Sequence, residues 1–140
     1  MQVYISHAIA DRDLALRLIA ELRRSGFNVW SPEDHIYPGD NWAKETGKAL
    51  EFSELMVVIF SARANDSSML RQDVQFALTS GGYRGRVIPV LLGFKSPATS
   101  DDLPWVLLHM NPIYLAAPSD SLEPVVRRVQ EVAGAECNAS

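Results

Sequence analysis

Strand-length runs of apolar residues alternate along the chain with segments in which apolar residues recur every three or four positions. Such alternation is the signature of parallel strands joined by crossover helices. The strand-length runs are Val3–Ser6, Phe27–Trp30, Leu55–Phe60, Arg86–Leu91 and Pro112–Leu115. Leu55-Met56-Val57-Val58-Ile59-Phe60 is apolar at every position, which suits a central strand covered on both faces. The spacing predicts a first helix over Asp11–Arg24, with Leu14, Ala15, Leu18, Ile19 and Leu22 on one face and Arg12, Arg17, Glu21 and Arg24 on the other. Gly26 stands where a helix stop belongs. A second helix, Asn41–Glu51, follows Asp40 as its N-cap. A third follows Ser67-Ser68 and runs to Thr79, burying Leu70, Val74, Ala77 and Leu78, and a fourth over Leu122–Val132 groups Leu122, Val125, Val126 and Val129. The expected fold is α/β and flavodoxin-like: three layers, a five-stranded parallel sheet and helices on both faces. Gly93–Leu103, rich in Pro, Ser and Asp, reads as a loop.

Composition narrows the class. With 140 residues, 47% of them hydrophobic, the chain matches one ordinary domain and has no room for a second. Residues 1–133 form that domain, and residues 134–140 read as a polar tail. Thirteen Lys and Arg against 17 Asp and Glu give a net charge of -4, without a basic run long enough to track a phosphate backbone, so nucleic acid is not expected as a direct partner. Cys137 is the single cysteine, which leaves no internal disulfide and fits a reducing, cytoplasmic setting. The opening Met1-Gln2-Val3-Tyr4-Ile5-Ser6 enters a strand at once, without the basic flank and apolar stretch of a signal peptide, and no run has the length of a membrane span. A cytoplasmic protein that does not engage a membrane is expected.

In an open parallel sheet ligands bind at the carboxyl ends of the strands, so the segments after Ser6, Trp30, Phe60 and Leu91 are the places to look for chemistry. Ser31–Asp40 is longer than a minimal strand-to-helix connection; it is either a functional loop or a surface loop that tolerates insertion. Gly81-Gly82-Tyr83-Arg84-Gly85 follows a helix and precedes a strand, the reverse of the order in a dinucleotide fingerprint, and reads as a stop and turn. Neither a Walker-type Gly-Lys-Ser/Thr motif nor a Gly-x-Ser-x-Gly elbow occurs, which argues against NTP hydrolysis and serine esterase chemistry. His7, His35 and His109 are too scattered, with no matching Cys, to suggest a metal site.

Four segments in order carry a family resemblance. They are Val3-Tyr4-Ile5-Ser6-His7 followed by Asp11; Gly26-Phe27-Asn28-Val29-Trp30; Ile36-Tyr37-Pro38-Gly39-Asp40-Asn41-Trp42; and the run from Ala49 to Ser61. Together they resemble a Toll/interleukin-1 receptor (TIR) domain of bacterial type, most densely from Val3 to Leu78. The resemblance implies that Ile36, Tyr37, Pro38, Gly39 and Asp40 form the BB loop, which closes over a pocket and contacts neighbouring TIR domains in a homo-oligomer or filament. Many TIR domains cleave NAD at the nicotinamide–ribose bond, releasing nicotinamide and ADP-ribose or its cyclised form, with NAD as substrate and no cofactor. The implied settings are antiphage defence, signalling or host modulation.

In the enzymes of this family a glutamate on the third helix, a few residues after a Trp, does the decisive work. Here Met69-Leu70-Arg71-Gln72-Asp73-Val74 places Asp73 at the glutamate position and Met69 at the Trp position. A carboxylate can orient the ribose hydroxyls and stabilise the oxocarbenium-like centre that forms as nicotinamide departs. Asp is about 1.5 Å shorter in reach than Glu. By helical spacing Asp73 lies on the edge of the buried face, overlooking the pocket mouth; the alternative is an ordinary carboxylate near a helix start. Ser6 and His7 would line the same pocket, with Met69 beside them. Trp42 either packs under the BB loop, the favoured role for an aromatic at a helix start, or reaches the substrate. Phe76 points away from the core on the same wheel, as an interface residue would. Two readings of other classes remain beside NAD cleavage: a non-catalytic TIR–TIR interaction module, and a nucleoside deoxyribosyltransferase-like enzyme acting at a related N-glycosidic bond. A phosphoacceptor receiver shares the architecture, but its acidic cluster after the first strand is missing here.

Overall fold

The computed structural model describes residues 2–7, 11–30, 39, 41–61, 75–76, 86–93, 112–116 and 121–138. Five strands, β1 (Gln2–His7), β2 (Asn28–Trp30), β3 (Leu55–Ser61), β4 (Val87–Leu92) and β5 (Ile113–Leu115), pair in parallel in the order β2-β1-β3-β4-β5. This is the flavodoxin-like order expected from the sequence. All seven residues of β3 and all six of β4 are buried, as their unbroken apolar sequences require, whereas β5 at the sheet's end alternates and turns Tyr114 outward.

The helices are α1 (Arg12–Arg24), α2 (Trp42–Phe52) and α3 (Glu123–Asn138). Side chains alternate across a strand, so Val3 and Ile5 face one way and Gln2, Tyr4 and Ser6 the other. Leu14, Ala15, Leu18, Ile19 and Leu22 of α1, with Leu122, Val125 and Val129, close over Val3, Ile5, Val57, Ile59 and Val90 in one continuous core. On the opposite face α2 is tied to β1: Gln2 Nε2 donates to Ser53 Oγ at 2.8 Å, and Ser53 Oγ donates to the Ala49 carbonyl at 2.6 Å. Each fully buried Leu or Ile contributes about 1.5–3 kcal/mol, which makes the first-face core the main stabilising layer among the described residues.

Local chemistry sets the helix ends. Gly26 has φ +95°, its N–H donates to the Arg23 carbonyl and that of Phe27 to the Leu22 carbonyl, which is the Schellman pattern; the stop read from Gly26 is therefore a specific cap. At the start of α2 the capping residue is Asn41, whose side chain accepts from the Lys44 N–H at 3.1 Å, and not Asp40 as the sequence suggests. Both residue types cap well, so the two adjacent candidates differ only in which one the loop delivers to the position. The last helix continues past Val132 to Asn138, because Ala133, Ala135 and Glu136 are good helix formers and the isolated Gly134 does not end it. No helix among the described residues is long and apolar enough to cross a membrane.

Thr46, on the sheet side of α2, is only 6% exposed, and its hydroxyl has no hydrogen-bond partner among the described residues. A buried hydroxyl without a partner costs about 1–3 kcal/mol of desolvation. Thr46→Val keeps the shape and removes the polar atom. It is expected to raise the thermal midpoint by a few degrees, which a melting curve checks.

Candidate functional site

The carboxyl edge of the sheet has a step. His7, the last residue of β1, pairs with Ile59, whereas β3 runs on through Phe60 and Ser61, which pair with Leu91 and Leu92 of β4. Among the described residues β3 thus reaches two residues, roughly 6–7 Å at about 3.3 Å each, beyond β1. It lies between β1 and β3, where the chain leaves β1 toward one side of the sheet and β3 toward the other. That is the topological switch point, the place in such sheets where ligands are held.

Ser6 and His7 are both delivered there, at the end of β1, with Ser6 buried on the α2 face and His7 half-buried. On the α1 face the same step contains a contact the sequence does not announce. Ser61 Oγ donates to Asp11 Oδ2 at 2.6 Å, and each residue is 3% exposed. Asp11 is the N-cap residue of α1, yet its side chain makes no capping bond to that helix. A carboxyl group beside the first turn suits the helix dipole.

Tyr4 and Trp30, paired in register, stack with ring centroids 5.6 Å apart and 8° between planes. This forms an aromatic ledge on the α2 face, two residues below Ser6 on β1 and at the last residue of β2 before the long connection. Trp42 is the first residue of α2. Gly39 has φ +95°. Ile36, Tyr37, Pro38, Asp40, Met69 and Asp73 lie outside the described residues. Within the third predicted helix Gln75 and Phe76 are helical, and Phe76 is half-buried instead of turned fully outward.

The grooves along α3 are a different kind of surface. One is lined by Arg17, Glu21, Leu122 and Val126, another by Pro124, Arg127, Arg128 and Glu131. They contain none of the expected site residues, and in the second the charges pair locally along the helix: Arg127 with Glu123 at 2.5 Å and Arg128 with Glu131 at 3.9 Å. Such exposed pairs mark a solvated rim. Among the described residues no group of three or more His, Cys, Asp or Glu side chains is placed to hold a metal ion.

Gly39 allows a clean test of the connection after β2. A Cβ built there meets nothing within 4 Å, so a substitution there encounters strain and no clash. Gly39→Ala is expected to cost about 1–2 kcal/mol in that backbone conformation, and Gly39→Asn less, because Asn tolerates positive φ better. Denaturant unfolding of the pair checks the order; equal stabilities would mean the loop relaxes to another conformation.

Comparison with known proteins adds the following. A TIR domain family model matches residues 3–122. A relative from Paracoccus denitrificans, named NAD(+) hydrolase PdTIR, is 30% identical over 91 residues, covering 63% of this chain and 30% of that protein, so the chain spans under a third of that relative's length. The TIR domain of the Toll-related receptor TRR-2 from Hydra magnipapillata superposes with a TM-score of 0.68 at 22% identity, over 94% of this chain and 95% of that one. The TIR-STING receptor of C. gigas, solved in complex with 2',3'-cGAMP, gives a TM-score of 0.62 at 22% identity, over 81% of this chain and 34% of that one. At these identities the structures establish the fold.

Proposed function

The chain belongs to the TIR domain family, and from that premise we propose that it binds NAD at the β1/β3 step and breaks the nicotinamide–ribose bond when assembled. The observation that carries this reading is the 91-residue alignment with a relative named as an NAD(+) hydrolase. The bond between ribose C1′ and the nicotinamide nitrogen breaks with its electron pair going to nicotinamide. Water then attacks C1′ to give ADP-ribose and a proton, or an adenine nitrogen attacks to give the cyclic product. Asp73 supplies the negative charge that stabilises the cationic sugar, Ser6 and His7 shape the pocket, and Met69 and Trp42 complete its walls. The loop formed by Ile36, Tyr37, Pro38, Gly39 and Asp40 contacts a second TIR domain, so assembly and pocket closure are one event. The setting we infer is cytoplasmic, in bacterial immunity or signalling.

The decisive experiment is nicotinamide release from NAD at high protein concentration. A second reading, a TIR–TIR interaction module without catalysis, is favoured by one feature: Asp73 and Met69 stand where the enzymes of the family have Glu and Trp. It predicts self-association that is lost on changing Pro38 and Gly39, and no NAD consumption in any assembly state. Robust cleavage by the wild type excludes it.

A further inference from the structure

We propose that the Asp11–Ser61 hydrogen bond is the positioning contact of this pocket, a staple between the two chain segments that deliver its parts. The proposal rests on the NAD reading for its catalytic consequence and on geometry alone for the staple. Ser61 is the last residue of β3, and the chain runs from it toward Asp73. Asp11 is where the chain leaving Ser6 and His7 enters α1, only four residues after His7. The bond thus joins the exit from β1 to the exit from β3, across the step, between residues 50 positions apart.

Three features indicate tertiary positioning over local helix capping. An N-cap Asp ordinarily accepts from the backbone N–H two or three residues on, and Asp11 does not. A 2.6 Å contact between a hydroxyl and a carboxyl oxygen is at the short end for O–H···O bonds. Both residues are almost fully buried, so water competes little for the bond, and loss of either group removes a contact that solvent does not replace. The two side chains act by fixing the end of β1, with Ser6 and His7, against the end of β3.

The test compares Ser61→Ala, Ser61→Thr and Asp11→Asn in the full chain, assayed well below the lowest melting temperature of the set. Ser61→Ala is expected to lower kcat for nicotinamide release by roughly tenfold to a hundredfold, the effect of displacements of about 1 Å, with KM changed by less than about threefold. Ser61→Thr keeps the hydroxyl and recovers most of the rate, and Asp11→Asn, which keeps an acceptor, falls between. Unchanged kcat in Ser61→Ala overturns the proposal, as does a loss that neither conservative variant recovers. If the wild type releases no nicotinamide in any assembly state, the NAD reading fails by itself, and amide hydrogen exchange decides the staple. Amides of residues 7–11 and 61–73 should then exchange faster together in Ser61→Ala and slow together in Ser61→Thr. Acceleration confined to one segment, or to neither, overturns it.

Discussion

Asp73→Ala is expected to lower nicotinamide release by at least about a hundredfold, and Asp73→Glu to raise it above the wild-type rate. Removing one preorganised group aimed at developing charge typically costs on the order of a hundredfold to a thousandfold in kcat. A full negative charge about 4 Å from the cationic sugar, at an effective dielectric of about 20, is worth roughly 4 kcal/mol, which gives the same range. The second half of the prediction follows from reach. Asp holds its oxygens about 1.5 Å short of where a glutamate would place them, and misplacement on that scale costs on the order of a hundredfold. Wild-type turnover should therefore be slow, and the longer side chain should recover part of the deficit. Both variants keep their assembly state, because Asp73 is assigned to the pocket and the 36–40 loop to the contact between domains. Unchanged turnover in Asp73→Ala removes Asp73 from the mechanism. Absence of turnover in all three proteins, with association intact, leaves the interaction module as the function.

Legibility in the sequence followed the range of the interactions involved. Strands were plain where neighbouring residues suffice to define them: β3 from six consecutive apolar residues, α1 from one apolar stripe ending at Gly26. The sequence marks the carboxyl ends after Ser6, Trp30, Phe60 and Leu91 alike as places for a site, and only the strand order β2-β1-β3-β4-β5 puts the switch point beside Ser6 and His7. One-residue choices such as Asp40 against Asn41 depend on the path of a loop, which periodicity does not encode. The Asp11–Ser61 bond is the extreme case. Asp11 reads as an ordinary helix-start residue and Ser61 as the polar end of a strand, and nothing local to either signals the other. The family pattern supplied the positions of both, and only the pairing of β1 with β3 explains why they meet.

Phe60→Ala is expected to be the most destabilising truncation in the described core, at about 3–5 kcal/mol. Phe60 is the largest of the fully buried side chains, 1% exposed, on the central strand and next to Ser61. Its ring faces away from α1, into the layer shared with Met56, Val58 and Leu91, so the cavity opens beneath the carboxyl edge instead of at the periphery. Domains of this size hold about 7–14 kcal/mol in total, so the loss consumes roughly a fifth to seven tenths of the stability and lowers the thermal midpoint by roughly 10–20 °C. Phe52→Ala is the matched control, the same change at a residue 72% exposed on the last turn of α2, and it should move stability by no more than about 0.5 kcal/mol. If the two variants melt together, the central strand does not carry the core. If they separate as expected, residual nicotinamide release by folded Phe60→Ala shows how far the β1/β3 step depends on the packing below it. A pocket held mainly by the Asp11–Ser61 staple should keep most of its rate at temperatures where the variant remains folded, whereas one held by core packing should lose it before the chain unfolds.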